Sequence, residues 1–328
     1  MNEMAKRNLI FDENIYLKTN SENRSILSDY ILEMKSKRRS EKTIYQYSAD
    51  IKMFFCWVYK NAEDKSVLKL KKRDFRRFFL ELQDNGASSS RINRVQCSIR
   101  NMLEFCCQDE DEYDYPVNAM KGIKGLEKET VREIHFLTDG QINLIIEKLV
   151  EKEQYQKALY LSLSYDSAGR RNEVYQVLKT NFLDSKNTNE VIGKRGKKFR
   201  LMYLTRTREL ASKYLELRGE DSIESLWTVG SGDDIREAKY ETLYAWVLGF
   251  RKILEKETGE YLDFDPHSFR HSSLENYENG THSGLKELGV DKLPLKVLKV
   301  LANHSDISTT ESYLKNKDTE ILNEVFGL

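Results

Sequence analysis

The 328-residue sequence has no surplus of either charge: 53 Lys and Arg balance 53 Asp and Glu. That balance argues against a chain coated evenly with positive charge for tracking phosphates. It does not exclude a polarised chain, because binding depends on where the charges sit. Long apolar runs are also missing. The longest, such as Phe54-Phe55-Cys56-Trp57-Val58, falls far short of the roughly 18 residues that span a bilayer, so no membrane partner is expected. The opening residues Met1-Asn2-Glu3-Met4-Ala5-Lys6-Arg7 lack the apolar stretch of a secretory signal. Cysteine is scarce, and Cys56, Cys97, Cys106 and Cys107 show no metal-ligand spacing. Three of them fall on helical patterns, which predicts reduced, buried thiols in a cytosolic protein and no metal site. Internal repeats and low-complexity tracts are absent.

What is there fits a globular chain of about two domains, with 39% hydrophobic and 32% charged residues. Basic residues cluster at Lys69-Leu70-Lys71-Lys72-Arg73, at Arg76-Arg77, from Lys194 to Arg200 and from Arg206 to Arg208, while acid gathers at Asp109-Glu110-Asp111-Glu112. Residues 1–22 read as a polar N-terminal segment. Residues 23–115 carry helical periodicity: Ile44, Tyr47, Ile51, Phe54, Phe55 and Val58 form one stripe, and Ile92, Val95, Ile99, Met102, Leu103 and Cys106 another. Between them a helix over Asp74 to Leu82 stops near Asn85-Gly86. Residues 116–136, with Pro116 and the glycines at 122 and 125, read as a polar, mobile interdomain linker. From 137 to 328 the pattern is helical again, opened by the cap signal Leu137-Thr138-Asp139. Two short runs, Glu190 to Ile192 and Phe199 to Leu204, flank a basic turn and predict the one hairpin. Helices are expected through 206–218, 236–256, 267–278, 294–303 and 308–315. The class is mainly α with a small β-sheet.

Within that second half, Arg170, Lys194, His267, Arg270, His271, His304 and Tyr313 follow in order. Arginine forks neutralise phosphate oxygens, a tyrosine can attack phosphorus and hold the broken strand, and lysine or histidine can move protons. Such a set breaks a phosphodiester with no cofactor. His267, Arg270 and His271 lie at i, i+3 and i+4, on one helical face after Asp265-Pro266.

Order and spacing resemble the tyrosine recombinases, the phage-integrase-type site-specific recombinases. Ser167-Ala168-Gly169-Arg170-Arg171-Asn172-Glu173 resembles the family's Thr-Gly-x-Arg-x-x-Glu, matching at Arg170 and Glu173. Gly193-Lys194-Arg195-Gly196-Lys197 resembles its hairpin-lysine motif with one extra residue. The His-x-x-Arg-His box is intact. Leu301-Ala302-Asn303-His304, with Tyr313 nine positions on, resembles its last motif, Asn303 replacing the usual glycine. The likeness covers about residues 137 to 315.

The resemblance implies an N-terminal helical core-binding domain of SAM-like fold and an α-rich catalytic domain, acting on double-stranded DNA. Arg170 and Arg270 would clamp the scissile phosphate, with Glu173 orienting a guanidinium. Tyr313 would be the nucleophile. Phenols are almost wholly protonated at pH 7, so a base or positive field must assist it, and His267 is the candidate proton acceptor. His304 would donate a hydrogen bond to the phosphate, with His271 supporting. Lys194 would be the general acid for the 5′-oxygen, and Lys197 and Lys198 are rivals because of the extra residue. In the helix start Ser88 to Arg94, Arg91 and Arg94 would contact DNA, as would Lys197 and Lys198. Ile321, Leu322, Val325 and Phe326 in the tail Leu314–Leu328 would dock on a neighbouring protomer, giving a tetramer of two dimers on DNA. An accessory DNA-bending factor is left open. A mobile-element role is favoured over chromosome-dimer resolution or inversion, in the cytoplasm at the nucleoid. A type IB topoisomerase, a telomere resolvase and a non-catalytic DNA-binding relative are the alternatives. The role of residues 276–293 is open.

Overall fold

A computed structural model describes residues 10–127, 134–180 and 182–314. Asp12 opens the first helix, α1 (Glu13–Tyr16), by accepting the Asn14 and Ile15 N–H groups at 2.8 and 3.2 Å. Ile10 before it is buried, and Tyr16 packs on the same core. The segment read as a polar lead-in is therefore, from residue 10, part of the first unit. Two apolar anchors were too few to show as periodicity.

The chain divides into two compact units between residues 132 and 133. The first adds α2 (Ser21–Ser36), α3 (Glu41–Asn61), α4 (Lys72–Asp84) and α5 (Ser89–Gln108). The two sequence stripes become the buried faces of α3 and α5. Phe54 is the hub, with ring centroids 5.4 Å from Phe75 and 4.9 Å from Phe78. Each such ring contributes roughly 1.5–3 kcal/mol by burial. All four cysteines lie in α3 or α5, but only Cys56 and Cys106 are buried; Cys97 and Cys107 keep one side open.

The expected mobile linker is also corrected in part. Tyr115 and Met120 are buried in the first core, and the Asn93 side chain bonds both the N–H and the carbonyl of Leu126 at 2.7 and 2.8 Å. The stretch through residue 126 thus packs on the first unit, because its few apolar residues find pockets beside α5.

The second unit opens with α6 (Asp139–Val150). Thr138 Oγ1 accepts from Gln141 N–H while Gln141 returns a bond to Thr138 N–H, a reciprocal cap. Then come α7 (Tyr155–Ser167), α8 (Arg171–Tyr175), the antiparallel hairpin β1 (Asn187–Ile192) and β2 (Lys198–Met202), and α9 (Thr205–Arg218). A second, unexpected hairpin follows, β3 (Thr228–Val229) with β4 (Arg236–Glu237). It takes the residues assigned to a helix start at 236, so α10 runs Tyr240–Thr258 instead. The turn works because Gly230, at φ 83°, lets the Asp234 carbonyl come within 2.3 Å of where a Cβ would stand. α11 (Pro266–Asn279), α12 (Leu285–Leu288), α13 (Leu295–Leu301) and α14 (Ile307–Glu311) complete the described unit.

Part of the open segment 276–293 packs inward, while residues 286–292 are exposed. His282 lies between the rings of Tyr165 and Tyr277, at 4.1 and 3.7 Å between centroids, and so wedges α11 against α7. Glu287 receives Lys186 Nζ at 2.5 Å and the Thr205 N–H at 2.9 Å, joining α12 to the first hairpin's base.

Candidate active site

Arg270 is the deepest charged group of the site, at 1% exposure. It comes from α11, which Asp265 caps by accepting the His267 and Ser268 N–H groups, with Pro266 in the first turn. Its Nη1 donates to the Ala168 carbonyl and its Nη2 to the Ala302 carbonyl, both at 2.5 Å. Ala168 ends α7 and Ala302 ends α13. The guanidinium therefore rests on the negative ends of two helix dipoles. Left-handed residues set those ends, Ala168 at φ 50° and Asn303 at φ 52°. The asparagine in place of the family's glycine keeps the turn, since asparagine enters this region more easily than other side-chain-bearing residues.

Glu173, also buried, joins the two arginines. Its Oε1 accepts from Arg170 Nη1 at 2.8 Å, its Oε2 accepts the Arg170 backbone N–H at 2.8 Å, and Oε2 lies 3.9 Å from Arg270 Nη1. Burial, then the nearby Arg170 charge, pulls Arg270 down to about 10, which leaves it cationic at pH 7.

Tyr313 lies in the turn just past α14, ringed by three imidazoles. Its ring stacks on His271 (4.4 Å, 21°), meets His267 at 5.1 Å and His304 at 4.9 Å, and has the Arg270 guanidinium carbon 5.1 Å from its centroid. Desolvation and the neighbouring His271 and Arg270 hold His267 down at about 4, so it is neutral at pH 7. Desolvation and the same arginines hold His304 at about 3. His304 Nε2 sits 2.6 Å from Arg270 Nη2, and its Nδ1 is 3.0 Å from Thr310 Oγ1. Arginine can only donate, so Nε2 is an acceptor here and Nδ1 carries the proton. The expected donation from His304 to a phosphate is not the state of this arrangement: Arg270 occupies that nitrogen.

Arg170, Lys194, Lys197, Asn303, His304, Ser305, Thr309 and Tyr313 line one cavity of about 330 Å³. The lysines reach it from the β1–β2 turn, closed by the Gly193 N–H on the Lys197 carbonyl at 2.8 Å. Gly193 permits the approach: a Cβ there would stand 2.7 Å from the Phe199 ring and 3.2 Å from Glu173 Oε1. Lys198, the third rival, does not line the cavity and pairs with Glu190 at 3.3 Å.

Six of the expected residues thus converge directly, Arg170, Lys194, His267, Arg270, His304 and Tyr313, with Glu173 and His271 packed among them. In the first unit, Arg91 is half-exposed at the start of α5, after its cap Ser88. Arg94 is half-exposed and paired: its Nε and Nη2 both bond the buried Asp50 carboxylate at 3.1 Å. Sequence reasoning missed Thr310 and the carbonyls of Ala168 and Ala302. The i, i+3 spacing of Thr310 and Tyr313 was available as a signal; the carbonyls left none. The docking tail, beyond Leu314, lies outside the described residues, and among those described no helix is long and apolar enough to cross a membrane.

Comparison with known proteins identifies the family. The sequence profile of the phage integrase family matches residues 135–320, and that of the phage integrase N-terminal SAM-like domain matches residues 27–109. The SPbeta prophage-derived recombinase-like protein YomM of Bacillus subtilis is 28% identical over 94% of this chain and 91% of its own. Tyrosine recombinase XerD of Oceanobacillus iheyensis is 25% identical over 84% of this chain and 87% of its own. In fold, the chain is similar to a lambda integrase (75–356) dimer bound to a COC' core site, with TM-score 0.63 and 15% identity over 87% of this chain and 96% of that one. It is also similar to the Tn1549 transposon integrase in complex with circular intermediate DNA, with TM-score 0.62 and 14% identity over 89% and 95%. The chain belongs to the phage integrase family of tyrosine recombinases.

Proposed function

We propose that this protein cleaves and rejoins double-stranded DNA at specific sites through Tyr313, for a mobile element. The observation that carries the reading is the cavity that Tyr313 lines together with Arg170, Lys194 and His304, with Arg270 buried behind the Tyr313 ring. The Tyr313 oxygen attacks phosphorus, and the P–O5′ bond breaks as the new P–O bond forms. The products are a 3′-phosphotyrosyl ester and a free 5′-hydroxyl. His267, neutral at pH 7 and against the Tyr313 ring, takes the phenol proton, and Lys194 gives one to the leaving oxygen, Lys197 being the alternative donor. Arg170 and Arg270, held by Glu173, meet the charge that builds on the non-bridging oxygens. His304 joins them once the phosphate draws Arg270 off its Nε2 and that nitrogen carries the proton. Reversal by a second 5′-hydroxyl needs no ATP, because the ester conserves the bond.

Arg91 at the capped start of α5 is the proposed phosphate contact of the first unit, with Arg94 adding charge from its Asp50 clasp and Lys198 from the hairpin rim. The lambda integrase solved as a tetramer bound to a Holliday junction shares this fold, at TM-score 0.66 and 15% identity. It supports assembly of this chain as a tetramer of two dimers on DNA, acting in the cytoplasm at the nucleoid. The test is a nicked suicide duplex carrying the target site. Wild type should accumulate a covalent protein–DNA adduct, and Tyr313→Phe should form none while binding DNA with affinity within about twofold, since only the transition-state group is lost. An adduct formed by Tyr313→Phe would remove the assignment. Joining of two sites separates recombination from relaxation by a type IB topoisomerase.

A further inference from the structure

We infer that His271 is a positioning residue for the nucleophile, holding Tyr313 by its carbonyl and by its ring. The inference rests on the proposed role of Tyr313. Tyr313 follows α14, a helix of five residues, and so short a helix has little stability of its own in water. Within the turn, its N–H bonds only the Thr310 carbonyl, at 3.0 Å. The backbone tie to another element comes from α11: His271 Nδ1 lies 2.9 Å from the Tyr313 carbonyl oxygen. A carbonyl only accepts, so Nδ1 carries the hydrogen and donates it.

The ring of His271 does a second job. It lies nearly parallel to the Tyr313 ring, 4.4 Å away, and is itself braced edge-on by Phe136 at 5.7 Å and His267 at 5.0 Å. It is buried and does not line the cavity, so it acts through Tyr313 and not on the phosphate. Its partner in the clasp is Thr310, bonded to His304 Nδ1 one helical turn earlier. Two imidazoles, one from α11 and one from the loop after α13, thereby pin the turn that presents the phenol. In-line attack needs the oxygen placed to within about an ångström, and a misplacement of that size costs on the order of a hundredfold in rate.

Donor and ring can be separated chemically. His271→Phe keeps a stacking ring and removes the donor; His271→Asn keeps an N–H near the place of Nδ1 and removes the ring. Single-turnover cleavage of the suicide duplex and DNA affinity are measured for wild type, both variants and Tyr313→Phe. His271→Phe should cleave about 10- to 100-fold more slowly than wild type with DNA affinity held within about twofold, and His271→Asn should recover to within about fivefold of wild type. The inference is overturned if His271→Phe cleaves at the wild-type rate, if His271→Asn fails as badly as His271→Phe, or if rate and affinity fall together. A wild type that forms no Tyr313-dependent adduct overturns the proposed function and this inference with it. A normal wild-type adduct beside a fully active His271→Phe removes the clasp alone.

Discussion

Glu173 shows how one buried side chain sets the chemistry around it. A carboxylate out of water is costly unless it is paired, and this one is paired with Arg170 while lying within reach of Arg270. The family resemblance implied that Glu173 orients a guanidinium, and the ion pair with Arg170 is of that kind. The imidazoles carry a consequence for pH. His267, His271, His282 and His304 are all lowered, first by desolvation, with values of about 4, 3 and 3 for His267, His282 and His304. A free histidine titrates near 6.5, so between about pH 6.5 and 4 the unfolded chain binds more protons than the folded one. Stability is therefore complete above pH 6.5 and falls as pH drops toward 4. Asp166, raised by burial, pulls the other way, and His267, exposed on its helix, is screened by solvent, so the three buried imidazoles His271, His282 and His304 carry the effect. The melting midpoint should drop by several degrees from pH 7 to pH 5, at about 2–4 °C for each kcal/mol lost in a unit of this size. A calorimetric midpoint flat over that window contradicts this.

At the scale of elements, caps were legible and terminations by tertiary contact were not. The cap signals Leu137-Thr138-Asp139 and Asp265-Pro266 announce α6 and α11 because their bonds are local, Gln141 completing the first cap. The β3–β4 hairpin was hidden: two residues per strand give no alternation to read. One long-range bond anchors it, the Trp227 indole N–H to the Val174 carbonyl at 2.7 Å, and the Ala238 N–H closes its base on the Trp227 carbonyl at 2.9 Å. The ends of α7 and α13 matter most, since their left-handed residues aim the carbonyls that hold Arg270. For Asn303, at φ 52°, Asn303→Gly should keep cleavage near wild type and change stability by less than about 1 kcal/mol. Asn303→Val should cost about 1–2 kcal/mol in denaturant melts and slow cleavage, as a branched side chain disfavours that backbone. Equal melts for the two substitutions speak against a left-handed turn there.

For the whole molecule, zero net charge proves compatible with segregated charge. Lys69, Lys71, Lys72, Arg73, Arg76 and Arg77 are all exposed on and before α4, whereas Glu110, Asp111 and Glu112 are exposed beyond the far end of α5. DNA binding should therefore weaken steeply with salt. Each phosphate neutralised contributes about 0.9 to the slope of log affinity against log salt, so a slope steeper than about −3 is expected from filter binding across 50–200 mM salt. A slope near zero removes the polarised-surface reading.

The residue types, their order and the helical periods were properties of the sequence by itself, because reactive chemistry and amphipathic spacing are written locally. They were enough to identify the family and the helical class, and to name Arg170, Lys194, Lys197, His304 and Tyr313 among the residues that line the cavity, though not Ser305 or Thr309. Tertiary structure alone decided how those groups are held: a guanidinium on two helix ends, an imidazole spent on Arg270, Arg94 locked on Asp50, and a phenol pinned by His271. Each of these depends on backbone carbonyls or distant side chains brought within 3.5 Å by packing, and no local pattern encodes such distances.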